Sequence, residues 1–137
     1  MRGTCGVGDN VDLPLHMRRA MLAHALAEAP LEACGIVAGC DGRPLRFIPT
    51  ANAAQSPVRY EIAPRDLLRI TIEVESAGES IWAIFHSHPT TAAYPSATDI
   101  RLAFYPEALY LIASLVGEPG LRAFHIIDGQ VREVGLG

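Results

Sequence analysis

The sequence predicts an α/β fold: a mixed, mostly antiparallel sheet flanked by helices. Three observations predict it. Two segments space their apolar residues as helices do, several apolar runs are too short for helices, and two junctions between such runs are the pairs Asp41-Gly42 and Asp128-Gly129. Asp-Gly between apolar runs signals a hairpin, and hairpins this frequent exclude an all-parallel sheet.

Residues 1–10 carry three glycines and no apolar stretch, and read as a flexible arm ahead of a single domain over residues 11–137. From Leu15 to Glu28 the positions Met17, Met21, Leu22, Ala25 and Leu26 recur at helical spacing, with Pro14 at the entry and Pro30 beyond the end. Cys34 to Cys40 is a buried strand, turned by Asp41-Gly42 into a second from Pro44 to Pro49. Val58, Tyr60 and Ile62 alternate, which predicts a further strand over Val58–Ile62. Pro64 opens a second helix running to about Ala77, fed by Leu67, Leu68, Ile70, Ile72 and Val74. Ile81 to Phe85 is an apolar strand that runs into His86-Ser87-His88-Pro89, and a short helix follows from Ser96 to about Pro106. Leu109–Val116 and Leu121–Ile127 are strands joined by a Gly-Pro turn, and Asp128-Gly129 leads to a last strand, Val131–Val134.

Composition narrows the function. Of 137 residues, 50% are hydrophobic and 19% charged, enough apolar surface to build one core and too much for wholesale disorder. A formal net charge of -4 argues against a nucleic-acid binder that relies on a basic face. Cys5, Cys34 and Cys40 form neither a disulfide framework nor a paired metal motif; so sparse a set fits a reduced, cytoplasmic protein. No apolar run has the length of a membrane span, so no membrane partner is expected.

The residues that carry chemistry lie between His86 and Asp99. His86 and His88 stand at i and i+2 on the end of a strand, so both imidazoles leave the same face and can converge on one ion. Asp99, on the next helix, can supply a carboxylate. Two imidazoles and one carboxylate make an open zinc site that leaves a position for water, whereas a structural zinc site closes it with a fourth protein ligand. A plainer reading stands beside this one: a lone histidine at a strand end is usually a hydrogen-bonded structural residue, and Ser96-x-x-Asp99 resembles a helix capping box. Glu32, just ahead of the buried strand, adds weight to the site, because a carboxylate there is costly to bury without a partner or a task. His16, His24 and His125 have no comparable setting.

Glu32 followed by Cys34-Gly35-Ile36-Val37, then His86-Ser87-His88-Pro89, six residues, Ser96, two residues and Asp99, resembles the signature of the JAMM (MPN-plus) metalloprotease family, with no position missing. Thr50, Asn52, Ser56-Pro57, Tyr60 and the closing stretch Ile127–Val131 resemble its compact bacterial and archaeal members, so the likeness spans about Val11 to Val134. The resemblance implies the family fold, a curved mixed sheet between helices in the manner of the cytidine-deaminase sandwich. It implies Zn2+ held by His86, His88 and Asp99. Glu32 would carry a proton from the attacking water to the leaving amine, and Ser96 would hydrogen-bond the oxyanion. The implied reaction is hydrolysis of an amide or isopeptide bond after the C-terminal glycine of a ubiquitin-like protein. Within the family the likeness is greatest to small enzymes that release cysteine from a sulphur-carrier protein. The competing readings are a non-catalytic scaffold of the same fold, which typically lacks a metal ligand, and a DNA-repair-associated protein, which the acidic balance disfavours. A zinc deaminase is rejected, since it needs His-x-Glu and a downstream Pro-Cys-x-x-Cys.

Overall fold

The computed structural model of the protein describes residues 10–137. Its elements are β1 (Asn10–Val11), α1 (Leu15–Glu28), β2 (Cys34–Cys40), β3 (Arg43–Thr50), α2 (Pro64–Ser76), β4 (Ser80–His88), α3 (Ala97–Arg101), β5 (Leu109–Ser114), β6 (Gly120–Ile127) and β7 (Gln130–Leu136). The strands form one seven-stranded sheet in the order β1-β7-β6-β5-β4-β2-β3. Four of the strand pairs are antiparallel and two, β4–β5 and β1–β7, are parallel, which is the mixed, mostly antiparallel sheet expected.

Side-chain alternation divides the core between the two faces of this sheet. Val37, Ala83, Phe85, Leu111 and Ala123 point one way and meet Met17, Met21 and Ala25 of α1. Ile36, Ile84, Tyr110, Ile112 and Phe124 point the other way and meet Ile70 and Val74 of α2. Gly35 in β2 is required by a close approach. A Cβ there would lie 2.7 Å from both the Ile48 carbonyl oxygen and the Phe47 ring. Its absence lets Phe47 lie over the strand and meet Phe85 edge-on, centroids 5.4 Å apart.

Both Asp-Gly turns are hairpins as expected, with positive φ at each residue (Asp41 53°, Gly42 77°; Asp128 51°, Gly129 77°), the backbone that matches strand twist. Pro44 and Pro49 are accommodated because β3 is an edge strand with one unpaired side. Register shifts opposite Val37–Gly39 place one extra residue in each neighbouring strand, Leu45 in β3 and Trp82 in β4, and such bulges bend the strand that carries them.

Three expectations are corrected. Residues 1–9 of the arm lie outside the described residues, but Asn10 pairs with Gly135 in β1, a strand too short to leave a periodic trace. Val58–Ile62 is not a strand, because the Arg59 carbonyl and Glu61 amide are bonded to the Asn52 side chain rather than to a neighbouring strand. The helix after Ser96 ends at Arg101, not near Pro106: the following residues turn back toward β5, and the Tyr110 hydroxyl accepts the Tyr105 N–H.

Candidate metal and hydrolytic site

The site forms at the carboxyl end of β4, on the face that carries α2. Cys34 pairs with His86 in the antiparallel β2–β4 ladder, and the Ser87 N–H donates to the Ala33 carbonyl one step on. Continuing this register sets Glu32 across from His88, so Glu32, His86 and His88 share a face. Ser87, pointing to the opposite face, accepts the Ala33 N–H at 2.7 Å and ties the two strand ends together.

Asp99 arrives from α3. Ser96 caps that helix: its Oγ accepts the Asp99 N–H at 3.0 Å, while Asp99 Oδ2 accepts the Ser96 N–H at 2.9 Å. The structural and chemical readings of Ser96-x-x-Asp99 are therefore compatible, for the capping box aims the same Oδ2 at the histidines. His86 Nε2 and His88 Nε2 are each 3.0 Å from Asp99 Oδ2 and 3.2 Å from one another.

This donor set fits a metal ion. Ligand atoms on a tetrahedral zinc, with bonds of about 2.0–2.1 Å, stand about 3.3 Å apart, close to the observed triangle. His88 Nδ1 is 2.8 Å from the Ala92 carbonyl oxygen, which makes Nδ1 the protonated nitrogen and leaves the Nε2 lone pair facing the centre. His86 Nδ1 is buried with no hydrogen-bond partner among the described residues, and the Tyr60 ring is stacked on its imidazole, centroids 4.4 Å apart and planes 18° apart. All three ligand candidates are buried.

Burial lowers the pKa of His86 and favours the neutral, coordinating form, against the pull of Asp99. Burial acts on His88 in the same direction, but the Asp99 and Ala92 acceptors outweigh it and raise its pKa. Asp99 is held well below the usual carboxylate range, since the hydrogen bonds from His86 and His88 overcome its burial. Glu32 behaves oppositely. It is 3% exposed, its Oε1 has no hydrogen-bond partner among the described residues, and burial pushes its carboxyl up to about 8, with His88 opposing and Asp99 adding to the shift. Burial and hydrogen bonding thus push the two neighbouring carboxyls in opposite directions.

Two residues that the spacing arguments did not assign to the site prove to support it. Asn52 is buried, and its Nδ2 donates to the carbonyls of Glu32 and Arg59, both at 3.0 Å; its Oδ1 accepts the N–H groups of Ala54 and Glu61. Tyr60, expected on a strand, lies on the His86 ring. The cue in the sequence was a polar amide between two apolar segments with no periodic role of its own. Cys34 faces the site side of β2, but its thiol bonds Thr50 Oγ1 at 3.2 Å and burial raises it to about 11, so it stays protonated and unreactive. His24 is structural: its Nε2 lies 3.0 Å from the Cys34 carbonyl oxygen. A cavity of about 430 Å³ opens beside Asp99, walled by Tyr60, Leu67, Ile84, Leu102, Phe104 and Tyr110.

The profile of the family described as prokaryotic homologs of the JAB domain matches residues 14–127. The chain belongs to this family. It is similar to the CysO-cysteine peptidase of Mycobacterium tuberculosis, 44% identical over 119 residues that cover 83% of this chain and 81% of the relative. It is also similar to the desampylase of Haloferax volcanii, 37% identical over 133 residues covering 92% and 94% of the two chains. Among solved structures it resembles a protein of Desulfitobacterium hafniense, with a TM-score of 0.83 and 38% identity over 92% of this chain and 90% of that one. This JAB-family chain therefore carries its family's fold with the His86, His88 and Asp99 side chains gathered at one point.

Proposed function

We propose that this JAB-family protein is a zinc-dependent hydrolase that cleaves the amide or isopeptide bond after the C-terminal glycine of a ubiquitin-like or sulphur-carrier protein. The observation that carries the reading is the triangle of His86, His88 and Asp99 with the carboxyl of Glu32 buried beside it. The names of the relatives support the substrate class, since they are peptidases and conjugate-cleaving enzymes.

His86, His88 and Asp99 would hold the ion. Zinc bound there supplies Lewis acidity to the scissile carbonyl and makes a water more acidic. Glu32 takes a proton from the attacking water as its oxygen bonds to the carbonyl carbon, then gives that proton to the amine as the C–N bond breaks. Its Oε1 has no hydrogen-bond partner among the described residues, which leaves the carboxyl available for both halves of that transfer. Ser96 Oγ is occupied as an acceptor by the Asp99 N–H, which leaves its hydroxyl hydrogen to donate to the developing oxyanion. The apolar wall beside Asp99 suits the side chains of an extended carrier tail.

A cytoplasmic setting belongs to the same proposal. Cys34 and Cys40 are both free thiols, which fits a reducing compartment, and no helix among the described residues is long and apolar enough to cross a membrane.

The test is incubation of zinc-loaded protein with a carrier protein bearing a C-terminal cysteine adduct, read by mass spectrometry. Release of cysteine and a carrier ending in glycine is expected. An intact adduct, with an isopeptide-linked conjugate also intact, would overturn the assignment.

A further inference from the structure

A metal-binding histidine almost always donates its second ring N–H to a carboxylate, carbonyl or water, and this contact fixes the plane of the ring. His88 has such a contact in the Ala92 carbonyl. His86 does not: its Nδ1 is buried and unpartnered among the described residues, although the side chain is fully enclosed. What it has instead is a flat neighbour, the Tyr60 ring, lying parallel to the imidazole at 4.4 Å.

We propose that Tyr60 is a positioning residue for the metal site, its stacked ring setting the plane of His86 in place of the missing hydrogen bond. Rotation of the imidazole about its Cβ–Cγ bond would drive its edge into the Tyr60 face, so the Nε2 lone pair stays aimed at the point shared with His88 and Asp99. The phenol ring can do this only if its own loop is fixed, and that loop has no regular secondary structure. The two peptide groups flanking Tyr60 are fastened by one side chain: Asn52 Nδ2 donates to the Arg59 carbonyl, and Asn52 Oδ1 accepts the Glu61 N–H, each at 3.0 Å. The Ala53 N–H adds a bond to the Glu61 carbonyl at 2.8 Å. The same Asn52 amide donates to the Glu32 carbonyl, so the positioning ring and the proton carrier share one anchor.

This inference rests on the metal reading above, and the experiment separates the two. Metal-free wild-type protein, Tyr60→Phe and Tyr60→Leu are titrated with Co2+, followed by its visible d–d absorption, and with Zn2+ in competition with a chromophoric chelator. Thermal unfolding of each metal-free variant checks that it is folded. Tyr60→Phe keeps a flat face and is expected to match the wild type in affinity and spectrum. Tyr60→Leu fills space without a face; it is expected to bind about tenfold more weakly, the usual size of an outer-contact loss, with an altered Co2+ spectrum. If Tyr60→Leu does not fold, Tyr60→Met, which adapts to an irregular space, is judged by the same criterion. Wild-type affinity and spectrum in the aliphatic variant would overturn the inference, as would a loss in Tyr60→Phe equal to that in Tyr60→Leu. Wild-type protein that binds neither metal would overturn the metal reading and this one with it.

Discussion

Two segments meet at the site, and they are held in different ways. Residues 86–99 hang from the β4 ladder at one end and from the α3 capping box at the other, so backbone hydrogen bonding fixes both histidines and Asp99. Residues 51–63 have no helix or strand; one buried amide, Asn52, holds four backbone groups within 3.0 Å, and the bonds from Ala53 N–H to the Glu61 carbonyl and from Glu32 N–H to the Ser56 carbonyl add to it. The contrast teaches that chemistry placed on regular structure is redundant in its support, whereas the loop that braces it concentrates much of its support on a single side chain.

Substitutions can sharpen or break this contrast. Asp99→Ala has the largest expected effect. It removes a proposed ligand and half of the capping box together, so metal content and hydrolysis are expected to fall to background while the helix start loses about 1 kcal/mol; metal analysis and thermal unfolding of the metal-free protein read the two losses separately. Glu32→Gln is expected to lower turnover by about 10²–10⁴-fold with metal still bound, and loss of metal in that variant would contradict the role given to Glu32.

Glu32 also makes a pH prediction. Burial raises its folded pKa from 4.5 to about 8, so the metal-free folded state keeps a proton that the unfolded chain releases between those values. Its contribution is fully present below the unfolded pKa and is lost as pH rises through the folded one. Metal-free wild-type protein should therefore melt progressively lower across that window, and Glu32→Gln should flatten this part of the slope.

Asn52→Ala tests the loop. It leaves buried carbonyls and N–H groups without partners and is expected to cost about 2–3 kcal/mol in denaturant unfolding, with metal affinity falling less than in Asp99→Ala. An unchanged midpoint would show that the loop has support beyond its amide. The smallest effect is expected at Val58, the first residue of the expected strand but 72% exposed. Val58→Ser should change stability by less than about 0.5 kcal/mol, whereas a buried strand position would lose more.

Legibility in the sequence followed the same division. The bounds of α1 and β2 were readable to the residue, because apolar periodicity and Asp-Gly turns are local signals. The ligand candidates were readable because a strand's alternation puts His86 and His88 on one face. The Val58–Ile62 stretch misled for a physical reason: Val58, Tyr60 and Ile62 alternate, but no strand is available to take their backbone groups, and Asn52 takes two of them instead. Tyr60 could be seen as a residue on an apolar face but not as a neighbour of His86, since nothing in its own segment encodes a contact with a residue so far along the chain.

The bulges on either side of β2 have a consequence for how the domain tolerates insertions and deletions. The extra residues, Leu45 in β3 and Trp82 in β4, stand opposite Val37–Gly39, toward the Asp41-Gly42 turn, and the ladder from Cys34 to Val37 is unbroken. One residue more or fewer at the turn is absorbed by a hairpin that already carries irregular register. One residue more or fewer between Glu32 and Cys34 would rotate the Glu32 carboxyl to the α1 face, because a single step along a strand reverses every side chain. A one-residue insertion at the Cys40 end of this hairpin is therefore expected to leave the site in place, whereas one between Glu32 and Cys34 is expected to remove the Glu32 carboxyl from it.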